Sequence, residues 1–358
     1  MRKIAVVAIT APGSLLGERV AAGLAGIPDT AATLFVPARF ADRHRTARPF
    51  DCPLPDLCRV LFQDYRGLVM IMALGIVFRL LAPLLNDKRT DPAVVVLDEK
   101  GQFVISVLSG HLGGANDLAR YLAGYLGTRA VITTATDVHG LPAFDVLARQ
   151  YNLAMEPFAA VRELNAALVN GEPVAIFTNI CLEVPRSANL TVRPLAAFES
   201  GADTGGWTVL VTGKLIKGVK PGTLFLRPRN LVVGIGCRRG VTGREIQDAV
   251  KQALEMADRS FAGVRLLATV DFRLNEPGLI GMAEEWGIPL TGFSREEIEA
   301  VFKNRASKLS YSDFVFQKIG VGGVCEPAAL LAAPGAGLIL PKTKLGGVTV
   351  AVAEESWQ

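Results

Sequence analysis

A nine-residue run at positions 109–117 is the densest group of chemistry-bearing residues in the 358-residue chain. Glycine lets a backbone approach a ligand closely, and the free amides at a helix start can bind a carboxylate or an oxyanion. Histidine exchanges a proton near neutral pH. A tight turn with Asn116 or Asp117 as a helix cap would need fewer such residues, so the run favours a catalytic site. Its candidates are Ser109, Gly110, His111, Gly113, Gly114 and Asn116.

A second polar run, Thr133 to His139, follows a predicted strand at its carboxyl end. Ligands of open α/β sheets bind at that edge, so Thr133 and Thr134 are candidate binding residues. Asp137 and His139 are predicted to face His111 across a cleft. Asp137 either orients the imidazole or is itself the base; the alternative is a helix cap beside a solvated histidine.

A third run, residues 234–240, links another predicted strand to a helix through three glycines. The last glycine is one position late for a dinucleotide-binding GxGxxG motif, and no acidic residue follows at the required distance. The adjacent arginines Arg238 and Arg239, with Gly236 before them, suit carboxylate groups better. The alternative is a tight turn between strand and helix with solvated arginines. Cys237 is a poor candidate nucleophile because the predicted C-terminal domain, residues 229–358, contains no histidine that could activate it.

Further charged candidates lie towards the C-terminus. Asp271 and Glu276 could act as bases, as partners of Arg273 or as caps. Glu326 enters a helix after a glycine turn, an ordinary place for an acidic side chain, but it and Lys342 are also candidate substrate contacts.

Composition excludes several classes of protein. Half of the residues are hydrophobic, a fifth are charged and the net charge is +4, which fits a folded chain without the basic stripe of a nucleic-acid-binding protein. The five cysteines are odd in number and show no CxxC spacing, which argues against a disulfide framework and a zinc site. A reducing cytoplasm is therefore expected.

Residues 67–85 approach the length of a membrane span and carry a single charge. Gly75, Arg79 and Pro83 interrupt the run, and an arginine inside a membrane costs about 2.5 kcal/mol or more. We predict a buried strand at 68–74, a turn at Gly75 and a short helix, and no membrane association.

These runs are positioned by a predicted α/β fold: two α/β domains with largely parallel sheets, joined by a small α+β segment. Strand and helix patterns alternate over 1–140, with a hairpin at 94–108, and again over 229–358; the α+β segment is 141–228. Strands are predicted at 4–9, 33–36, 68–74, 93–97, 130–134, 174–178, 207–211, 223–227, 231–236, 264–269 and 347–353. Helices are predicted at 15–25, 116–126, 157–169, 242–256, 277–286, 296–302 and 325–333.

A series of ordered motifs resembles the cobalamin biosynthesis protein G family. The motifs cover nearly the whole chain and are weakest in the middle segment. They occupy residues 74–85, 88, 91–94, 109–116, 133–137, 234–240, 269–271, 276–277 and 326–333.

The resemblance implies cobalt-precorrin-5A hydrolase activity: opening of the ring-A δ-lactone and release of acetaldehyde. His111 or Asp137 would supply the base, and the amides of Gly113, Gly114 and Ala115 the oxyanion donors. The cobalt would arrive with the corrinoid substrate, so no cofactor or protein metal site is expected. A homodimer and handover to neighbouring corrin-pathway methyltransferases are further expectations. The carboxylate arms would be held by Arg79, Arg238, Arg239 and Lys342.

Two rival functions stay open at the level of sequence. One is a non-catalytic corrinoid carrier, which would bind the substrate without releasing acetaldehyde. The other, less favoured, is a dinucleotide-dependent oxidoreductase built on residues 234–240.

Overall fold

The computed structural model describes residues 1–87, 89–201, 205–305 and 309–357. Its contacts group into two compact units, Met1–Val146 and Leu147–Gln358. Both contain largely parallel sheets covered by helices, which confirms the predicted fold class. The division of the chain into three segments at 140 and 228 stays a prediction.

The first unit is built on a seven-stranded sheet in the order β3-β2-β1-β4-β5-β6-β7. Strands β1, β4 and β5 are buried almost throughout, as continuous apolar runs in a covered parallel sheet require. The strands are β1 (Arg2–Ala8), β2 (Thr30–Pro37), β3 (Arg48–Phe50), β4 (Gly67–Ile71), β5 (Ala93–Leu97), β6 (Phe103–Leu108) and β7 (Arg129–Val131).

One pairing reverses the direction of the last two strands. The predicted hairpin is confirmed, because β6 pairs antiparallel with β5, and β7 then pairs parallel with β6. The loops after β6 and β7 therefore lie at the edge where β1, β4 and β5 begin. Consistently, the Ser109 hydroxyl donates to the carbonyl of Asp91, just before β5 (2.9 Å), and Arg2 donates to the carbonyl of Gly113 (2.8 Å).

Helices cover both faces of this sheet. Leu16 and Val20 of the first helix pack with Leu122 on one face, while Leu61 and Val77 pack on the other. The helices of the first unit are α1 (Ala11–Leu24), α2 (Leu54–Asp64), α3 (Leu74–Leu81), α4 (Ala115–Leu126) and α5 (Ala135–Val138), and α6 (Phe144–Gln150) spans the boundary between the two units.

The predicted strand at 68–74 was too long. Strand β4 ends at Ile71 because its neighbours β1 and β5 pair with it only as far as that residue. The chain turns at Met72 and Ala73, and Gly75 lies in the first turn of α3. Within the described residues, no helix is long and apolar enough to cross a membrane.

The second unit begins with a five-stranded sheet in the order β10-β9-β11-β12-β8, in which only β8 is antiparallel to its neighbour. Strands β8 and β10 were not predicted, because β8 is short and β10 is mostly exposed. The elements are β8 (Leu153–Glu156), α7 (Ala159–Val169), β9 (Val174–Thr178), β10 (Leu190–Pro194), α8 (Leu195–Glu199), β11 (Trp207–Val211) and β12 (Leu224–Pro228).

A second five-stranded sheet of this unit has the order β15-β14-β13-β17-β16, with β17 antiparallel to both β13 and β16. Thr242, predicted to open a helix, is the N-cap of α9 and forms a capping box with Glu245. The elements are β13 (Leu231–Cys237), α9 (Gly243–Met256), β14 (Val264–Val270), α10 (Pro277–Trp286), β15 (Leu290–Phe293), α11 (Arg295–Arg305), α12 (Asp313–Ile319), α13 (Cys325–Ala332), β16 (Gly337–Leu345) and β17 (Val348–Glu354).

Candidate functional site

His111 lies between two carboxylates in the first unit. Its Nε2 is 3.0 Å from Asp137 Oδ2, and its Nδ1 is 3.1 Å from Asp145 Oδ1. The Thr136 hydroxyl lies 3.2 Å from Nε2. A neutral imidazole has one N–H, whereas two carboxylates accept hydrogen bonds from both ring nitrogens only if the ring is protonated. This geometry favours the imidazolium form.

The charge balance around His111 agrees with that geometry. Burial lowers the pKa of the imidazole, but the hydrogen bonds and charges of Asp145 and Asp137 outweigh burial and raise the pKa above its ordinary value of 6.5. The side chain is 13% exposed. His111 is therefore a partly buried group that can hold one proton next to two acceptors.

Asp137 is the best-connected carboxylate of this cluster. Its Oδ2 accepts from His111 and from Asn116 Nδ2 (2.9 Å), and its Oδ1 accepts from the Arg120 guanidinium. A carboxylate offers about four acceptor directions, so these three donors leave one direction at Oδ1. With 17% of its side chain exposed, Asp137 can take a further donor from a ligand.

Asn116 holds the cluster together from the first turn of α4. It is 3% exposed. Its Oδ1 accepts from the Ser106 hydroxyl (2.7 Å), and its Nδ2 donates to Thr134 Oγ1 (3.0 Å) as well as to Asp137. One side chain thus links β6, α4 and the loop after β7, so its role is to position Asp137.

The glycines of the run serve its internal packing. A Cβ on Gly110 would lie 2.7 Å from Asn116 Oδ1, and one on Gly113 would lie 2.5 Å from Ser109 Cβ. Gly114 has a φ of 83°. The amides of Gly114 and Ala115 already donate to the carbonyls of His111 and Ser109. The prediction that these two amides bind an oxyanion is therefore wrong, because their hydrogen bonds are used within the loop.

Three predicted residues of this unit lie outside the cluster. His139 ends α5 with an exposed side chain, and among the described contacts none joins it to His111, contrary to prediction. Thr133 is exposed after β7, and Arg79 is exposed on α3. Conversely, Asp145 and Arg120 were not predicted, because only the folded chain shows that they contact His111 and Asp137.

A pocket in the second unit gathers several other predicted residues. It has a volume of about 310 Å³, at the small end of the usual range for ligand pockets, roughly 300–1,000 Å³. Gly236 and Arg238 after β13 line it, together with Lys342 and Lys344 of β16 and Phe314 of α12. No aspartate or glutamate is among the described residues that line this cavity, here named the cationic pocket.

Arg239, Asp271 and Glu326 do not line this cavity. Arg239 is exposed, and the carboxylate of Asp271 accepts from the neighbouring amide of Phe272 (2.6 Å). Glu326 is 2% exposed and accepts from the amides of Ser310 (2.7 Å) and Lys342 (2.8 Å). The prediction that Glu326 contacts the substrate is therefore wrong. Its buried carboxylate instead stabilises the strand that carries Lys342.

Cys237 and Glu276 also acquire defined roles. Burial raises the pKa of the Cys237 thiol to about 11; Arg273 opposes this shift and Glu276 adds to it, so the thiol is a poor nucleophile near neutral pH. Glu276 Oε1 accepts from the Gly240 amide (2.7 Å), while Oε2 accepts from Arg273 (3.1 Å). This carboxylate occupies the turn that a dinucleotide phosphate would need, which disfavours the oxidoreductase hypothesis.

The fold and the two polar sites define a class: a multidomain α/β protein with a partly buried acid–base cluster in its first unit and a cationic pocket in its second. Within the described residues, no group of three or more His, Cys, Asp or Glu side chains is placed to hold a metal ion. Three family models match in chain order: Cobalamin synthesis G N-terminal at residues 56–137, Cobalamin biosynthesis central region at 142–228, and Cobalamin synthesis G C-terminus at 231–353.

Two curated relatives span most of the chain. The cobalt-precorrin-5A hydrolase of Priestia megaterium is 35% identical over 82% of this chain and 79% of its own length. The Salmonella typhimurium protein of the same name is 36% identical over 93% and 92%. The chain therefore belongs to the cobalamin synthesis protein G family. A solved structure of a homologue of cobalamin biosynthesis protein G from Sulfolobus solfataricus aligns over 100% of this chain and 98% of its own, with 22% identity and a TM-score of 0.41.

Proposed function

We propose that this chain is a cobalt-precorrin-5A hydrolase that opens the ring-A δ-lactone and releases acetaldehyde, giving cobalt-precorrin-5B. The observation that carries the proposal is its similarity to two proteins of that name, at 35% and 36% identity over most of both chains. The reaction class is hydrolysis followed by cleavage of a carbon–carbon bond.

The chemistry needs a group that accepts protons and returns them. Water attacks the lactone carbonyl, the C–O bond breaks, and the departing alkoxide takes a proton. A base then removes the proton of the new hydroxyl, the bond to the macrocycle breaks, and its electron pair enters the conjugated ring as acetaldehyde leaves.

The cluster around His111 supplies such a group. Asp137 is the proposed proton acceptor, through the open direction at Oδ1. His111 and Arg120 hold its carboxylate in place, because both donate hydrogen bonds to it. The protonated His111 is the proposed source of the returned proton, and Asp145 keeps the ring oriented from the other side.

Other features of the proposal follow from the substrate. The cobalt enters with the corrinoid, so the protein needs no cofactor of its own for these steps. Cytoplasmic location, absence of a nucleic-acid partner, a homodimer and handover to methyltransferases remain predictions.

The direct test is acetaldehyde release. Purified protein is incubated with cobalt-precorrin-5A, and acetaldehyde is assayed with a coupled aldehyde-reducing dehydrogenase, with heat-inactivated protein as control. We expect acetaldehyde in proportion to the substrate consumed. Binding of the corrinoid without acetaldehyde above the control would instead make the chain a carrier.

A further inference from the structure

We propose that the cationic pocket of the second unit binds carboxylate arms of the corrinoid, as a substrate-holding site distinct in its residues from the cluster around His111. This inference rests on the proposed function, because it takes the substrate class from it. The pocket is assigned a binding role alone: it contains neither the acid–base cluster nor an ionised thiol.

The charged side chains that line the cationic pocket are all positive. Arg238, Lys342 and Lys344 line it, and in the described part of the chain none of them makes an ion pair. A fourth cation, Arg273, is already paired with Glu276. Unpaired cations that line one cavity repel one another, and an anionic ligand relieves that repulsion while accepting charge-assisted hydrogen bonds. The pocket therefore selects a ligand with more than one negative group.

Much of the remaining wall is apolar. Phe272 and Phe314 line the same cavity with Val315 and Ile319, and Phe314 is 66% exposed. Exposed aromatic surface gains free energy when an apolar ligand covers it. Inorganic phosphate would use the cations and leave this wall uncovered, whereas a flat macrocycle with acetate and propionate arms would use both.

The glycines around the pocket do not serve a nucleotide. A Cβ on Gly234 would lie 1.8 Å from the carbonyl oxygen of Cys325, and one on Gly236 would lie 2.6 Å from Thr349 Oγ1. Both glycines are explained by close packing of β13 against α13 and β17. Since Glu276 also binds the Gly240 amide, the turn offers little to a pyrophosphate.

Size limits what the pocket can hold. At about 310 Å³, it is small among ligand pockets and suits one edge of a macrocycle with its arms. A group that binds an edge lowers KM without changing the rate of bond breaking, when it binds the ground state and the transition state equally.

The experiment compares two probes and six variants of the full chain. The probes are cobyrinic acid, a stable cobalt corrinoid with free carboxylate arms, and its fully methyl-esterified derivative. Titrations use Arg238→Gln, Lys342→Gln and Lys344→Gln, with Arg239→Gln as the matched control, because Arg239 is adjacent to Arg238 but outside the pocket. Circular dichroism checks folding, and the charge-preserving Arg238→Lys and Lys342→Arg recover part of any loss.

We expect each pocket variant to weaken cobyrinic acid binding about tenfold, the loss of one charge-assisted hydrogen bond. Arg239→Gln should change it by less than about twofold, and the ester should bind weakly to every protein. For the reaction, KM should rise in the pocket variants while kcat stays within about twofold of wild type.

The contrary results are equally specific. Equal weakening by Arg239→Gln would reduce the effect to general surface charge and overturn the pocket. Displacement of cobyrinic acid by NAD⁺ or by inorganic phosphate at similar concentrations would assign the pocket to another anion. The wild-type chain could also bind cobyrinic acid more tightly than the pocket variants do and yet release no acetaldehyde. That result would overturn the proposed function but agree with the binding role of the cationic pocket. Acetaldehyde release with unchanged KM in all variants would overturn the binding role of the cationic pocket and would agree with the proposed function.

Discussion

The protonation state of His111 is the residue-scale property that the chemistry depends on. Burial lowers the pKa of the ring, but two carboxylates raise it above its ordinary value of 6.5, so the ring should stay protonated to a higher pH than a free histidine. We expect its carbon-bound proton resonances to titrate above pH 6.5 in an NMR experiment. The chain has three histidines, and His111→Gln identifies the signal; a titration midpoint at or below 6.5 would contradict the imidazolium assignment.

The same shift predicts a pH dependence of stability. Since the folded-state pKa lies above the unfolded value, the stabilisation by protonated His111 is complete below about pH 6.5 and is lost as pH rises through the folded-state pKa. Urea unfolding of the wild type, followed at several pH values, should show this alkaline loss. His111→Gln should lack it, whereas His139→Gln, at an exposed site, should keep it.

At the residue scale, the sequence alone identified part of the cluster around His111. His111, Asn116 and Asp137 stand out because reactive residue types lie close together in glycine-rich or threonine-rich runs. Asp145 has no such neighbourhood and reaches His111 only through the fold, 34 positions along the chain. Contacts of this kind depend on the path of the chain, which residue types alone do not specify.

Two glycines of α10 give a prediction at the scale of the element. A Cβ on Gly278 would lie 2.2 Å from the carbonyl oxygen of Val241, whereas Gly281 has nothing within 4 Å. Gly278→Ala should therefore lower the free energy of unfolding by about 1–3 kcal/mol through overpacking. Gly281→Ala should raise it by about 0.5–1 kcal/mol, because alanine favours a helix over glycine.

Chemical denaturation of both variants measures this difference. The two substitutions are chemically identical and lie one helical turn apart, so each is the control for the other. Similar effects of the two would mean that the close approach of α10 to the turn before α9 is not a constraint on stability.

Element prediction succeeded where a pattern was continuous. The buried strands β5 and β9 were predicted with their observed bounds, because each is a compact run of buried apolar residues. The edge strand β10 was missed, since its side chains are largely exposed and carry no alternating pattern. The direction of β7 in the sheet could not be predicted from the sequence either, because it depends on which strand β7 pairs with.

At the scale of the whole molecule, the reactivity of the five cysteines tests the burial of side chains in both units. Cys52 and Cys181 are exposed, while Cys58 and Cys325 are buried. Burial raises the pKa of Cys58 to about 11 and that of Cys325 to about 12, and Cys237 stands at about 11. Thiolates react faster than thiols. We therefore expect two thiols to react quickly with a disulfide reagent near pH 8.

The remaining three thiols should react only slowly, or after denaturation. Cys52→Ser and Cys181→Ser should each remove one fast equivalent. Three or more fast thiols in the folded chain would contradict the burial of Cys58, Cys237 or Cys325, and fewer than two would indicate that an exposed cysteine is covered or oxidised.

Composition and strand–helix alternation were enough to predict the α/β class, and the ordered motifs were enough to predict the family. Neither specified the sheet orders, nor that the glycines at 110 and 113 serve packing, because both depend on distances between segments that are remote in the chain. The cationic pocket illustrates the same limit: Arg238 and Lys344 are 106 positions apart in sequence and line one cavity.

The most direct measurement is the single-turnover rate of acetaldehyde formation by Asp137→Asn with saturating enzyme. The substitution keeps the shape of the side chain and removes the proposed proton acceptor, so the rate should fall about 10²–10⁴-fold while corrinoid binding is retained. Asp64→Asn, an exposed aspartate at the end of α2, should match wild type. A folded Asp137→Asn protein that releases acetaldehyde within about threefold of the wild-type rate, too small a change for loss of a general base, would contradict the assignment of Asp137 as the base.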